Sequence, residues 1–371
     1  MTGSRPLQPR PGVLGIEPYQ GGASELEGQS EVIKLSSNEG ALGPSPKAVA
    51  AFEAASAHLD RYTDGAATAL RDAIGERFGL DPTRIVCGAG SDEILALLAR
   101  AYAGEGDDVL YSEHGFLIYP IAARAVGAEP VKVPEIELRA DVDGLIARAG
   151  ARTRLVYLAN PNNPTGSYIS GDELRRLRAG LPQGVLLVID SAYAEFVTEK
   201  DYEAGAALVD KSENTIMTRT FSKIFGLGNL RLGWAYGPAH VIDVLNRLRM
   251  PFNVSGPAQA AGIAALADRD HGDAAVAHNT RQRGRLTQSL TEAGIIVPPS
   301  AGNFVLARFP GGVAQAQAAD DHLLSRGIIV RRLDAYGLPD ALRITIGLTP
   351  EIDAVAAALA EFMDLEGAAH G

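Results

Sequence analysis

Seven short apolar segments alternate with stretches of helical length between residues 84 and 237 of this 371-residue chain. The apolar segments are 84–87, 108–111, 131–133, 155–158, 185–190, 215–220 and 233–236. The stretch 91–103, between the first two, has the length and the wide apolar face of a helix that packs on a sheet. Strands that are joined through helices pair in parallel, with the helices on the faces of the sheet. The sequence therefore predicts an α/β fold around a mainly parallel central sheet.

The pattern changes beyond about Thr280, which predicts a second domain. Strand-like segments alternate there with helical stretches, and a final helix is expected from Pro350 onward. We predict a large domain over residues 31–280, in which 31–55 also contribute to the small domain, and a small α+β domain over 281–371. Residues 1–30, whose start is rich in proline and glycine, are predicted to form an arm that orders only by docking. The strand-like segments are 294–298, 303–306, 327–330 and 342–346.

Charge and cysteine content disfavour several classes of protein. The chain has 34 Lys and Arg against 45 Asp and Glu, and the net charge of −11 disfavours a general binder of nucleic acid or anionic membranes. The single cysteine, Cys87, can form neither an intrachain disulfide nor a thiolate metal cluster. The histidines show no metal-ligand spacing, and no apolar stretch has membrane length. We expect a cytoplasmic protein without a metal site, in which any bound anion meets a local cluster of cations.

A carboxylate ends the predicted strand at 185–190. Residues 185–189 are all apolar and Asp190 follows them, so in a central parallel strand Asp190 lies at the carboxyl end, where open α/β sheets bind ligands. Tyr193, three residues on, can place a phenol beside the same crevice. Taken alone, the aspartate is equally compatible with capping the turn that follows.

A lysine with hydroxyl neighbours follows the next apolar strand. Thr220, Ser222 and Lys223 stand at its end, and Arg231 comes eight positions after Lys223, across a glycine-rich stretch. Hydroxyls and a guanidinium suit a bound phosphate, and a lysine in a crevice can lose its proton and attack a carbonyl carbon. Residues 88–92, just before a predicted helix, offer backbone N–H groups to the same phosphate. The dinucleotide glycine pattern is incomplete, which disfavours a nicotinamide dehydrogenase.

Several motifs in a fixed order resemble those of a known family. The turn Asn163-Pro164-Thr165-Gly166 follows the strand at 155–158 and can reach the same crevice. Ser37-Asn38-Glu39, Arg61-Tyr62, Asp190-Ser191-Ala192-Tyr193 and Ser222-Lys223 stand in order along the chain. With these motifs the sequence resembles the fold-type I pyridoxal-phosphate-dependent aminotransferases, and among them the histidinol-phosphate aminotransferase family. The resemblance implies pyridoxal 5'-phosphate as the cofactor, bound in the large domain.

The resemblance also implies a role for each residue of the cofactor site. Lys223 would form the internal aldimine and shuttle the proton, and Asp190 would keep the pyridine nitrogen protonated. Asn163 and Tyr193 would hydrogen-bond the 3′ oxygen, and Phe116 would stack on the ring. The phosphate would bind to Ala89, Gly90, Ser91, Thr220, Ser222 and Arg231.

For substrates, the resemblance implies a small-molecule amino donor and a keto-acid acceptor, histidinol phosphate and 2-oxoglutarate in histidine biosynthesis. Arg343, which stands among apolar residues of a strand-like segment, matches the arginine that binds the substrate anion. Arg331, Tyr19 and Asn38 would complete the substrate site. Tyr62 would reach the cofactor phosphate of a partner subunit, which implies a homodimer.

Two departures from the family pattern leave the choice of substrate open. The family commonly has proline and a hydroxyl residue where His114 and Gly115 stand, and Thr63-Asp64 replace the usual Pro-Asp or Pro-Glu after the tyrosine. We expect His114 to be a polar loop residue and not a ligand. An aromatic amino-acid aminotransferase and an amino-acid-phosphate decarboxylase remain alternatives, since Arg343 can hold a carboxylate as readily as a phosphate. Lys223 together with Asp190 disfavours a non-catalytic ligand-binding protein.

Overall fold

The computed structural model describes residues 7–10, 12–26 and 31–370. Its strands are β1 (Ile33–Lys34), β2 (Ile85–Gly88), β3 (Asp108–Ser112), β4 (Glu129–Val133), β5 (Glu135–Ile136), β6 (Arg139–Ala140), β7 (Thr153–Ala159), β8 (Leu186–Asp190), β9 (Thr215–Thr220), β10 (Gly233–Tyr236), β11 (Phe304–Arg308), β12 (Ile328–Ile329), β13 (Arg331–Arg332) and β14 (Ala341–Thr345). Its helices are α1 (Pro46–Ala55), α2 (Thr68–Phe78), α3 (Ser91–Tyr102), α4 (Ile118–Ala125), α5 (Val142–Arg148), α6 (Gly171–Gly180), α7 (Ala206–Val209), α8 (Ala239–Leu248), α9 (Gly256–Ala267), α10 (Arg269–Glu292), α11 (Gly312–Ser325) and α12 (Thr349–His370). No described helix is long and apolar enough to cross a membrane.

A seven-stranded sheet with the order β2-β10-β9-β8-β7-β3-β4 organises the large domain. Neighbouring strands from β9 to β4 pair in parallel, whereas β10 is antiparallel to both β2 and β9. Every apolar segment predicted between residues 84 and 237 overlaps one of these strands. The predicted α/β class and the mainly parallel sheet are therefore confirmed.

Helices cover both faces of this sheet, so nearly every residue of its central strands β7, β8 and β9 is buried. On β7, Leu155 and Tyr157 pack into one apolar cluster with α3, α4 and α8. Val156 and Leu158, which point to the opposite face, pack with α5 and α6. This two-residue alternation between two buried faces is the reason that the strands read as continuous apolar runs and not as an apolar–polar alternation.

The small domain packs its own core around the antiparallel sheet β11-β14-β13. α10, α11 and α12 supply apolar side chains to that core, and Leu35, just after β1, lies within it with 1% of its surface exposed. β1 pairs in parallel with β12 at the register Ile33 to Ile328. Residues 33–35 therefore belong to the small domain, although they precede the strands of the large sheet in the sequence.

One predicted strand is wrong, at residues 294–298. The structure has a single bridge there, between Ile296 and Arg308, because Pro298 and Pro299 follow and lack the N–H that a longer ladder needs. The predicted domain limits stay a prediction, and residue 280 falls inside the 24-residue helix α10. In the predicted arm, residues 1–6, 11 and 27–30 lie outside the described residues, and Leu7 and Leu14 are exposed.

Parallel pairing brings the carboxyl ends of β7, β8 and β9 to one edge of the sheet. Ala159 stands opposite Asp190, and Asp190 stands opposite Thr218, two residues before the end of β9. The chain leaves each strand at this edge, where the backbone is free to present side chains to a ligand. The sheet therefore assembles the residues that follow its strands into one crevice, which the small domain faces.

Candidate active site

A cavity of about 280 Å³ lies at this edge, near the lower end of the size range of small-molecule sites. Residues of both domains and of the arm line it. Most of the residues that the sequence singled out are brought together here: Tyr19, Asn38, Ser91, Phe116, Asn163, Asp190, Tyr193, Thr220, Ser222, Lys223, Arg231, Arg331 and Arg343.

Asp190 is a buried carboxylate held by two hydroxyl groups. Tyr119 Oη donates to one carboxylate oxygen at 2.8 Å, and Thr218 Oγ1 donates to the other at 3.3 Å. Tyr119 is itself fixed by parallel stacking on Tyr157, with ring centroids 4.8 Å apart. Burial raises the pKa of Asp190 to about 6, against the lowering effect of the Tyr119 hydrogen bond. Near neutral pH the site thus presents a desolvated anion, which favours a cationic group in front of it.

Lys223 follows β9 and reaches into the cavity. Its Nζ donates to the carbonyl oxygen of Ser37 at 3.0 Å and lies 5.8 Å from the centroid of the Tyr193 ring. Burial, together with the positive charge of Arg343, lowers the pKa of Lys223 to about 8. A fraction of the amine is therefore unprotonated near neutral pH, which is the state that attacks a carbonyl carbon.

Asn38 joins the large domain to the small one across the cavity. Its Nδ2 donates to Tyr193 Oη at 3.0 Å, and its Oδ1 accepts from Thr345 Oγ1 at 3.2 Å. The backbone of Asn38 is left-handed, with φ of 55°, and its carbonyl oxygen accepts from Asn303. Asn38 thus positions the Tyr193 phenol. Burial raises the pKa of this phenol.

The start of α3 forms a cup next to Arg231. The N-cap residue is Gly90, with φ of 84°, and no side chain caps the helix, so the first N–H groups of α3 are open toward the cavity. Arg231 Nη1 donates to Ser222 Oγ at 3.2 Å, and its Nη2 pairs with Asp92 at 3.1 Å. A Cβ atom on Gly90 would clash with the Arg231 guanidinium. Ala89 does not line the cavity, and its N–H donates to Glu93 at 2.6 Å.

Arg343 and Arg331 stand side by side on neighbouring strands. Their positions are directly opposite in the β13–β14 ladder, so both side chains project from the same face of the sheet. Arg343, 5% exposed, donates to Ser36 O at 2.8 Å and to Asn163 Oδ1, and its Nε has no partner. Arg331 donates to Gln20 O at 2.6 Å. Within the described ranges neither guanidinium has a carboxylate at ion-pair distance, so the pair calls for an anion.

Aromatic side chains close one side of the cavity. Phe116 contacts Tyr19 and Tyr119 edge to face, with ring centroids 6.3 and 6.0 Å apart. Tyr62 lies elsewhere: it is 85% exposed and stacks on Phe252 at 4.6 Å. In the part of the chain that the structure describes, no group of three or more His, Cys, Asp or Glu side chains is arranged for a metal ion.

Sequence reasoning missed Tyr119 and the partner of His114. Tyr119 stands among apolar residues of α4, where a tyrosine has the pattern of a core residue, and no local signal reveals its bond to Asp190. His114 lies in the turn after β3, and its side chain is 11% exposed and pairs with Glu135. That partner is 21 positions away, so spacing along the chain could not indicate it.

Comparisons with known proteins give a matching family model and several similar relatives. The family model described as aminotransferase class I and II matches residues 30–359. Histidinol-phosphate aminotransferases from Rhodospirillum centenum and Paramagnetospirillum magneticum are 57% and 56% identical, each over 96% of this chain and 98% of the relative.

Solved structures show the same fold-type I architecture. Histidinol-phosphate aminotransferase from Sinorhizobium meliloti, solved in complex with pyridoxal-5'-phosphate, aligns with a TM-score of 0.86 at 31% identity, over 90% of this chain and 92% of that chain. A putative histidinol-phosphate aminotransferase from Erwinia carotovora atroseptica aligns with a TM-score of 0.85 at 26% identity, over 94% of this chain and 99% of that chain. This chain belongs to the class I and II aminotransferases.

Proposed function

We propose that the chain is a histidinol-phosphate aminotransferase that uses pyridoxal 5'-phosphate to move the amino group of histidinol phosphate to 2-oxoglutarate, yielding imidazole acetol phosphate and glutamate. The observation that carries the proposal is one cavity in which desolvated Lys223 lies near the paired guanidinium groups of Arg343 and Arg331. Relatives that carry this name are 51–57% identical over 96–97% of the chain, which supports the choice of substrate.

The residues present fit pyridoxal phosphate at three points. The uncapped start of α3 and Arg231 suit its phosphate, the buried carboxylate of Asp190 suits a protonated ring nitrogen, and Lys223 suits its aldehyde. A side chain at Gly90 would meet the Arg231 guanidinium, so the glycine lets Arg231 lie against the start of α3. When bound, the cofactor supplies the aldehyde that takes up the amine and a ring that withdraws electrons from the reacting carbon.

Each side chain around this site then has a separate proposed role. With the cofactor bound, Lys223 Nζ would accept the proton from the substrate carbon that bears the amine and would then give it back, which its lowered pKa permits. Asp190 would favour a protonated ring nitrogen, and the bonds from Tyr119 and Thr218 hold its carboxylate in place. Tyr193 and Asn163 would bind the oxygen of the ring, and Phe116 would pack on the ring.

Arg343 and Arg331 are proposed to bind the anions of both substrates. Histidinol phosphate presents a phosphate, whereas 2-oxoglutarate and glutamate present carboxylates, and a guanidinium binds either group through paired N–H donors. Tyr19, which contacts Phe116 and belongs to the arm, covers this end of the cavity. Because Asn163 already bonds to Arg343, the substrate anion and the cofactor ring are positioned by one connected set of side chains.

We also propose a homodimer in the cytoplasm. Tyr62 and Phe252 form a stacked and largely exposed aromatic pair, and Leu59 and Met250 next to them along the chain are 72% and 67% exposed. Apolar side chains that are concentrated on one surface favour a protein partner. In the proposed dimer Tyr62 reaches the cofactor phosphate of the other subunit.

The central test is a spectral titration of the purified protein with pyridoxal phosphate. We expect an absorbance band of bound cofactor that bleaches with histidinol phosphate at a concentration at least about tenfold lower than with phenylalanine, because two guanidinium groups hold a phosphate more strongly than one carboxylate. Lys223→Ala should lose the band and at least about a thousandfold in turnover, whereas exposed Lys211→Ala should keep both. Bleaching at lower phenylalanine concentration would assign the chain to the aromatic enzymes.

The pH dependence of cofactor binding should report the pKa of Lys223. Only the unprotonated amine attacks an aldehyde, so between pH 7 and 11 the rate of combination with the apo-protein should rise and then level off near pH 8, as the lowered pKa requires. Arg343→Gln should move this inflection upward, because it removes a positive charge that disfavours the lysine cation. Stopped-flow absorbance measures the rate, and an inflection at the ordinary value of 10.5 would contradict the account.

Arg343→Lys and Arg331→Lys should each raise the KM for histidinol phosphate by about 10- to 100-fold, because lysine keeps the charge and loses the paired donors. Arg332→Lys is the matched control. Arg332 is the next residue on β13 and forms an ion pair with Asp334, so its replacement should change KM by less than about twofold. Steady-state kinetics decide the point, and equal KM values for all three variants and the parent would remove Arg343 and Arg331 from the substrate site.

Light scattering of the purified protein should give twice the mass of one chain. Tyr62→Ala should lower the affinity for pyridoxal phosphate about tenfold if the phenol reaches the partner's site, by loss of one hydrogen bond to a charged group. A monomer with full activity would refute the dimer and the role of Tyr62 together.

A further inference from the structure

A buried pair formed by His114 and Glu135 lies beside the proposed ring site. Their side chains are 11% and 2% exposed, and His114 Nδ1 lies 2.9 Å from Glu135 Oε2. The backbone N–H of His114 donates to the other carboxylate oxygen at 3.2 Å. Glu135 thus receives two hydrogen bonds from one residue, in a geometry that places a proton on Nδ1, since an ionised carboxylate can only accept.

This pair ties together three segments of the large domain. His114 stands two residues before Phe116, and Glu135 belongs to the β5–β6 hairpin, where it pairs with Ala140. The carbonyl oxygen of His114 accepts from Asn162 Nδ2 at 3.4 Å, one residue before Asn163. Phe116 and Asn163 are the residues proposed to contact the face of the cofactor ring and its oxygen.

The turn between β3 and Phe116 is tightly confined on its other side. Gly115 N donates to Ser112 O at 2.8 Å. A Cβ atom on Gly115 would lie 2.9 Å from that same oxygen and 3.2 Å from the Tyr111 ring. The backbone of the turn therefore lies close against β3, and its bonds to Glu135 tie it to the β5–β6 hairpin as well.

We propose that His114 and Glu135 are positioning residues that set the orientation of Phe116 and Asn163 against the cofactor ring. This inference rests on the proposed function. The buried bond between His114 and Glu135 restricts the backbone of this turn. Neither residue lines the cavity, so the effect passes through the turn.

The test measures cofactor binding and not turnover. The dissociation constant of pyridoxal phosphate and the circular dichroism of its bound band are compared with the Tm of the apo-protein. His114→Ala should raise the dissociation constant about tenfold and weaken the dichroic band. His114→Asn, whose amide N–H can stand near the place of Nδ1, should recover affinity to within about threefold of the parent. Glu135→Gln keeps the shape of the side chain but removes its negative charge. It should raise the dissociation constant of pyridoxal phosphate about threefold or more.

Ser170→Ala serves as the control for a purely structural loss. It removes the N-cap of α6 in the same domain and should lower the apo Tm with an unchanged dissociation constant. If His114→Ala or Glu135→Gln behaves like this control, with parental affinity and an unaltered dichroic band, the inference is overturned. Should His114→Ala fail to fold, Glu135→Gln still decides it. A parent protein that binds no pyridoxal phosphate would instead refute the proposed function, and this inference with it.

Discussion

An excess of positive charge in one cavity is the constraint that organises this protein. The chain as a whole carries a net charge of −11, yet Lys223, Arg231, Arg331 and Arg343 line a single cavity. Arg231 has Asp92 as its partner, whereas over the described residues no carboxylate pairs with the other three. Lys223 and Arg343 are held away from water, where a cation without a counter-ion is costly, so an anionic ligand would complete the arrangement.

The parallel sheet makes such a concentration of charge possible. Its strands end at one edge, so that Asp190 and the residues after β9 reach the same space although they are distant in sequence. The small domain adds the two arginines from an antiparallel ladder, and Asn38 links the two sides through Tyr193 and Thr345. The chemistry therefore depends on packing between domains as much as on the central sheet.

Residues that stand at the ends of strongly apolar strands could be predicted from the sequence. Asp190 and Lys223 are such residues, because strand position in a parallel sheet fixes where they lie. The pairing of Arg343 with Arg331 could not be derived in this way, since it depends on the register of two strands in the small domain. The bond from Tyr119 to Asp190 and the bond between His114 and Glu135 could not be predicted, because each joins distant segments and leaves no periodic pattern in the sequence. The strand predicted at 294–298 is reduced to a single bridge for a local reason, because two prolines stand at its end.

The account's central claim is that Lys223, alone among the six lysines, bonds to the cofactor. The most direct measurement is reduction of the protein with borohydride in the presence of pyridoxal phosphate, followed by digestion and mass spectrometry of the lysine-containing peptides. The account predicts one stable addition of a pyridoxyl phosphate group, on the peptide that contains Lys223. An addition on any other lysine, or none at all, would contradict it.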